Sequence, residues 1–296
     1  MRFIIILALV VSFNFSIKGQ GCSDAGLCTI SGLDSGFGIS EKQTTGSFTT
    51  IFGLGEQNVF HLTTQLELVI PTFRNQIVQI KMPYNFTFGN LGNISGLGDL
   101  SLSLNQRIFS QDKFRLNLVA GIKIPSNDAN KSKDGYTLPM AYQTSLGTYD
   151  MILGISSNIK TWHISFGYQH SFGHNLNEFE HRYDNPANFN NYQESYHLKR
   201  ADDIMLRVEK DFTIKEFDLT FGLLPIYHLW EDKIKNGQKV PGSSGLTLNL
   251  NANVKKRFKN DLLMNLIVAA PVIDRDARPD GLTRSFVIVV SLAKSF

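Results

Sequence analysis

Long stretches of this chain alternate bulky apolar side chains with small or polar ones, which is the period of a pleated strand. Leu100, Leu102 and Leu104 oppose Asp99, Ser101, Ser103 and Asn105, and Phe114, Leu116, Leu118, Ala120, Ile122 and Ile124 oppose Arg115, Asn117, Gly121 and Lys123. Trp162, Ile164, Phe166 and Tyr168 oppose His163, Ser165, Gly167 and Gln169, while Leu246, Leu248, Leu250, Ala252 and Val254 oppose Thr247, Asn249, Asn251, Asn253 and Lys255. The final segment sets Arg284, Phe286, Ile288, Val290, Leu292, Lys294 and Phe296 against Ser285, Val287, Val289, Ser291, Ala293 and Ser295. Counted this way, the pattern predicts about twelve strands. They cover 46–54, 58–70, 75–88, 96–109, 114–125, 145–159, 162–172, 201–212, 216–230, 243–258, 261–271 and 284–296.

Alternation alone fits a soluble sandwich, in which the apolar face is the core, as well as a membrane barrel, in which that face meets lipid. The connections separate the two. Short links are expected at 110–113, 160–161, 213–215 and 259–260, and long ones at 126–144, 173–200, 231–242 and 272–283, in strict alternation. A sandwich has no reason to place every long connection at one end, whereas membrane barrels pair short periplasmic turns with long outer loops. The short connection near 55–57 departs from this pattern. The fold class expected is all-β: a transmembrane antiparallel up-and-down β-barrel, with both barrel ends on the periplasmic side. The ribbon ending on Phe296 resembles the last strand of outer-membrane β-barrels. That resemblance implies two partners, outer-membrane lipid and the barrel-insertion machinery that reads such a strand.

The rest of the composition narrows the class without changing it. Among 296 residues, 42% are hydrophobic and the net charge is +3. No mature apolar run is long enough for a spanning helix, and no basic cluster marks a nucleic-acid site. Met1, Arg2 and the apolar run 3–11 read as a signal peptide cleaved near Gly19 or Gln20, which exports the chain; together with the barrel pattern the expected location is a Gram-negative outer membrane. A lipid-modified Cys22 is the alternative, although Gly19, Gln20 and Gly21 lack the expected leucine-like residue. Residues 20–45, rich in Gly, Ser and Asp, form a plug or a periplasmic segment, and 46–296 form the barrel. Cys22 and Cys28, close together in an exported chain, suit a small-loop disulfide, with two free thiols as the other reading.

Strand phase sends a mixed set of charges inward: Glu67, Lys81, Asp99, Arg107, Arg115, Lys123, Asp150, His163, Asp203, Arg207, Glu209, Asp218 and Lys255. Energetics agree, since Arg or Lys facing lipid at mid-membrane costs roughly 2–4 kcal/mol. These residues either neutralise one another as a packed network or line a wet passage, with Arg107, Arg115 and Arg207 the foremost lining candidates. Tyr84, Phe86, Phe88, Trp162, Phe172, Tyr227 and Phe258 fall toward strand ends, as an interfacial girdle requires. His170, His174 and His181 beside Asp184 have no metal-ligand spacing, and the Gly-rich stretch 89–98 reads as a turn because no helix or P-loop lysine follows it. No nucleophile elbow or triad can be named, so no catalytic residue, metal or cofactor is assigned.

Gly96-Leu97-Gly98-Asp99-Leu100, then Val119-Ala120-Gly121-Ile122-Lys123-Ile124-Pro125, then Gly147-Thr148-Tyr149-Asp150-Met151-Ile152-Leu153-Gly154 resemble the outer-membrane family of the MetA-pathway of phenol degradation. Its members are described as transporters and look related to FadL-type channels, which carry an N-terminal plug. The resemblance implies passive uptake of small solutes, hydrophobic or aromatic ones among them. Leu224, Ile226 and Trp230 share an inward phase and could supply an apolar patch for such a solute. Asn185-Pro186-Ala187 echoes a FadL-type motif but falls in a long loop and receives no role. Two other functions compete with a transport barrel: a closed structural or surface-binding barrel presenting the loop 173–200, and an outer-membrane enzyme.

Overall fold

In the computed structural model the described residues are 33, 43–235, 237–282 and 284–296. The expected signal peptide, the Cys22–Cys28 pair and most of the segment 20–45 lie outside them. Twelve antiparallel strands close on themselves. They are β1 (Thr45–Leu54), β2 (Phe60–Pro71), β3 (Gln76–Gly89), β4 in two parts (Gly92–Leu97 and Leu100–Gln111), β5 (Phe114–Ile124), β6 (Tyr149–Ile159), β7 (Trp162–Phe172), β8 (Asp203–Ile214), β9 (Phe217–His228), β10 (Gly245–Arg257), β11 (Leu262–Ile273) and β12 (Phe286–Ser295). Each strand pairs with its sequence neighbours, and β1 pairs with β12 from Thr45↔Ser295 to Leu54↔Phe286. Closure matters because lipid offers no partner to an unpaired backbone edge.

The alternation resolves as expected. Leu66, Phe166, Phe221 and Leu250 are exposed on the outer wall, and Thr49, Ser165, Thr247 and Ser291 are buried inside. Toward the short-turn end, Lys210 lies 4.9 Å from the Trp162 ring and Lys256 5.2 Å from Phe258, so each ammonium rests at the aromatic girdle while its stem covers apolar surface.

Four details differ from the sequence reading. The Gly-rich stretch is mostly strand: Gly92, at φ 123°, completes a tight turn after Gly89, and 92–97 pairs with β3. The period then breaks where Gly98 and Asp99 are both buried, a bulge that turns Asp99 into the barrel. Arg284 is not on the bulky face of the last strand; β12 starts at Phe286, and Arg284 is buried with its Nη1 donating to the Gly281 carbonyl at 3.2 Å. Trp230 lies beyond the end of β9 and is exposed, leaving Leu224 and Ile226 as the inward apolar pair.

The long connections do not hang free. They fold over one mouth of the barrel around two apolar clusters, one centred on Leu138, Tyr142, Phe179 and Tyr192, the other on Ala129, Met140, Leu198 and Leu282. A third cluster sits on the inner wall, where Val119, Ile152, Met205, Leu224 and Ile226 enclose the side chain of Leu33. Gly154 makes room for it, since a methyl there would fall 2.6 Å from a Leu33 methyl carbon.

Candidate solute pathway

The wall is built from inward positions of the strands, and its chemistry changes along the axis. Near the short turns, Arg115 and Asp218 are exposed, Thr213 Oγ1 donates to Asp218 at 2.9 Å, and Arg107 and Lys255 are half-buried. Arg115 and Asp218 therefore stand at the rim, because each is the second residue of its strand. His163 meets Asn158 at 2.7 Å and Asp211 at 2.6 Å in the same zone.

Farther in, Glu67 accepts from Gln79 and, at 3.4 Å, from Ser47, with Lys81 at 3.7 Å. On the opposite wall Arg207 stands 3.7 Å from Glu209, which accepts from Asn251 at 2.7 Å. Beside them the asparagines of β10 and β11 are buried but incompletely bonded. Both side-chain polar atoms of Asn249 and the carbonyl oxygens of Asn253 and Asn265 lack a hydrogen-bond partner.

The mouth under the loops is different in kind. Arg200 Nη1 meets Asp150 Oδ2 at 3.0 Å, Nη2 meets Asp203 at 3.5 Å, and Nε lies 3.9 Å from Asp280. Arg275 reaches Asp280 at 3.3 Å, and His228 bridges Asp203 at 2.6 Å and Asp232 at 2.8 Å. All these side chains are buried. Burial opposes the charge of Arg200, yet Asp150, Asp280 and Asp203 outweigh it and hold its pKa above the ordinary value. Burial likewise opposes the charge of Asp280, and Arg275 and Arg200 outweigh it and keep its carboxyl below the usual range. This buried ion network at the mouth ties three outer loops to β6, β8 and β9, while the pairs Glu67–Lys81 and Arg207–Glu209 lie deeper on the wall.

Glu67, Lys81, Asp99, Lys123, Asp150, Asp203, Arg207 and Glu209, which strand phase sends inward, are all buried. Strand phase missed His61, Arg200, His228, Asp232, Arg275, Asp280 and Arg284, which are buried too. Most of those lie in loops or at strand ends, where no period marks an inward direction. The histidines considered for a metal are dispersed: His170 binds Asp202 at 2.7 Å, His174 stacks on His197 at 5.2 Å, and His181 bonds the Tyr192 carbonyl at 2.7 Å. Among the described residues no group of ligands suits a metal ion.

No family model and no curated protein matches this sequence. Solved structures do. The COG4313 outer membrane channel from Pseudomonas putida F1 superposes with a TM-score of 0.63 at 13% identity, covering 86% of this chain and 95% of that one. The CymD monoaromatic hydrocarbon channel (TM-score 0.44, 10% identity, 95% and 99% covered) and the KdgM porin (0.42, 9%, 85% and 99%) lie farther off and carry no argument of their own. The class is defined by the closed barrel and the first of these likenesses: this chain has the fold of an outer-membrane β-barrel.

Proposed function

We propose that this protein is an outer-membrane channel for passive passage of small solutes, shut at rest by its folded loops and by the segment that carries Leu33. The observation that carries this reading is the inner wall of β10 and β11. A buried amide without a partner costs on the order of 1–3 kcal/mol, so a barrel evolved only to be packed would not keep Asn249, Asn253 and Asn265 in this state. These atoms have almost no free surface in the resting barrel, and opening of the lumen would bring water or a passing solute to them. The patch formed by Val119, Ile152, Met205, Leu224 and Ile226 adds an apolar foothold inside the same lumen, which suits a solute with a hydrophobic or aromatic part. That preference agrees with the resemblance to the MetA-pathway type transporters. Leu33 now occupies the patch, and burying a leucine contributes roughly 1.5–3 kcal/mol, enough to hold a plug and little enough to release it.

Planar-bilayer conductance and liposome swelling test the reading on the full chain and on a variant lacking residues 21–45. Low conductance in the first and a large, steady rise in the second are expected. Silence in both, with solute excluded, would defeat it. The buried ion network at the mouth favours a second reading, a sealed barrel that presents its loops, and that silent outcome is the one it predicts.

A further inference from the structure

Lys210 of β8 and Lys256 of β10 project from the barrel near the short turns, each laid on two aromatic rings. Lys256 lies 5.0 Å from Phe217 and 5.2 Å from Phe258, and its Nζ is 3.2 Å from Glu216 Oε1. Lys210 lies 4.9 Å from Trp162 and 5.3 Å from Phe212, and among the described residues no carboxylate pairs with its ammonium. The two differ in depth as well. Lys256 is next to last in its strand, as Lys294 is in β12, whereas Lys210 comes four residues before the end of β8 at Ile214.

Strand phase fixes the side of the wall on which Lys210 lies. Met205, Arg207 and Glu209 are buried toward the lumen, and Leu206 and Phe212, which share the phase of Lys210, are exposed on the outer wall. The half-buried Lys210 is thus a cation on the lipid face, set deeper than the rim where water is at hand. Such a charge is costly in a bilayer unless it meets an opposite one. The flanking rings attract the ammonium but carry no net charge, so its counter-ion comes from outside the chain. At the depth of an aromatic girdle the anions on hand are lipid phosphates.

The surroundings of Lys210 suit a whole lipid rather than a free ion. Trp162, paired with Lys210 across the β7–β8 ladder, is exposed, and its indole N–H meets no acceptor among the described residues, which leaves a second donor beside the ammonium. Phe221 pairs with Lys210 from the other side and packs 6.0 Å from Phe212. Farther from the short turns, Phe166, Leu206 and Leu223 are exposed and offer a bed for acyl chains. A zwitterionic lipid brings its own ammonium, which competes with Lys210 for the phosphate; a lipid with a hydroxylated headgroup brings none. We propose that Lys210 and Trp162 form a headgroup site for an anionic phospholipid of the periplasmic leaflet, with the phosphate on the Lys210 ammonium and the acyl chains over Phe166, Leu206 and Leu223. The site stands apart from the channel reading, since it faces lipid and not the lumen.

Trp162 is the reporter. The full chain carrying Trp230→Phe, which leaves Trp162 as the single tryptophan, is refolded into phosphatidylcholine vesicles with rising fractions of phosphatidylglycerol bearing brominated acyl chains. Quenching then gives the affinity of phosphatidylglycerol relative to phosphatidylcholine beside Trp162. A preference of about fivefold is expected, the effect of one lysine near an anionic headgroup. Lys210→Gln should abolish it, whereas Lys160→Gln, in the exposed turn below Trp162, should keep most of it. Heat-dependent gel migration reports folding, and Lys210→Met serves should the glutamine variant not fold. Equal affinity of the two lipids for the parent, an undiminished preference without Lys210, or an equal loss in Lys160→Gln would overturn the proposal. So would protection of Trp162 from both lipids, the mark of a second copy of this chain covering that face.

Discussion

Arg200 is surrounded by Asp150, Asp203 and Asp280 with almost no access to solvent, so its removal strands several buried acids at once. Arg200→Ala is expected to destabilise the barrel by about 3–5 kcal/mol, read from urea unfolding in lipid vesicles. Arg115→Ala, at the exposed rim, should change it by less than about 0.5 kcal/mol in the same assay. The network also sets a pH limit. Asp280 has a folded pKa below its ordinary value of 3.8, so it binds fewer protons folded than unfolded. Its stabilising contribution is complete above pH 3.8 and is lost as the pH falls from there through the lower folded value. The loops should therefore remain closed to proteases at pH 5 and open in stronger acid. Asp150 was legible from its place in an alternating strand, but its partner Arg200 lies 50 residues away in a loop with no period, so the network could not be read from the sequence.

Strands were the readable elements, because each must present a lipid face and a lumen face for its whole length. On β10, Leu250→Arg puts a charge into the lipid and should cost roughly 2–4 kcal/mol if near the bilayer centre, whereas Asn251→Arg on the inner face should cost far less. Folding yield into vesicles separates the two. Where a period slips, the pattern misleads: β4 changes phase at Gly98–Asp99, and the glycines of its outer half mimic a turn. The loops were unreadable for another reason. Their apolar residues are scattered, and Tyr142, Phe179 and Tyr192 become one cluster only when the barrel brings their loops together. Gly281→Ala pushes two of those loops apart and is expected to raise single-channel opening without unfolding the barrel, which conductance and gel migration report together.

At the scale of the molecule, the long connections share one end, and Tyr183 beside Arg182 is fully exposed there. Trypsin added to intact cells should cut after Arg182 and spare Lys113, Lys160 and Lys215 in the opposite short turns; the reverse pattern would invert the orientation. The seam between β1 and β12 joins Thr45 to Ser295, a side-chain contact spanning 250 residues. Contacts that distant form late, after much chain entropy has been lost. Until β12 arrives, the growing sheet has two bare edges inside or beside the lipid, each a template for mispairing. A chain cut short before Phe286 would thus leave β1 and β11 with bare edges, so the integrity of the whole cylinder hangs on whether one ribbon finds the first.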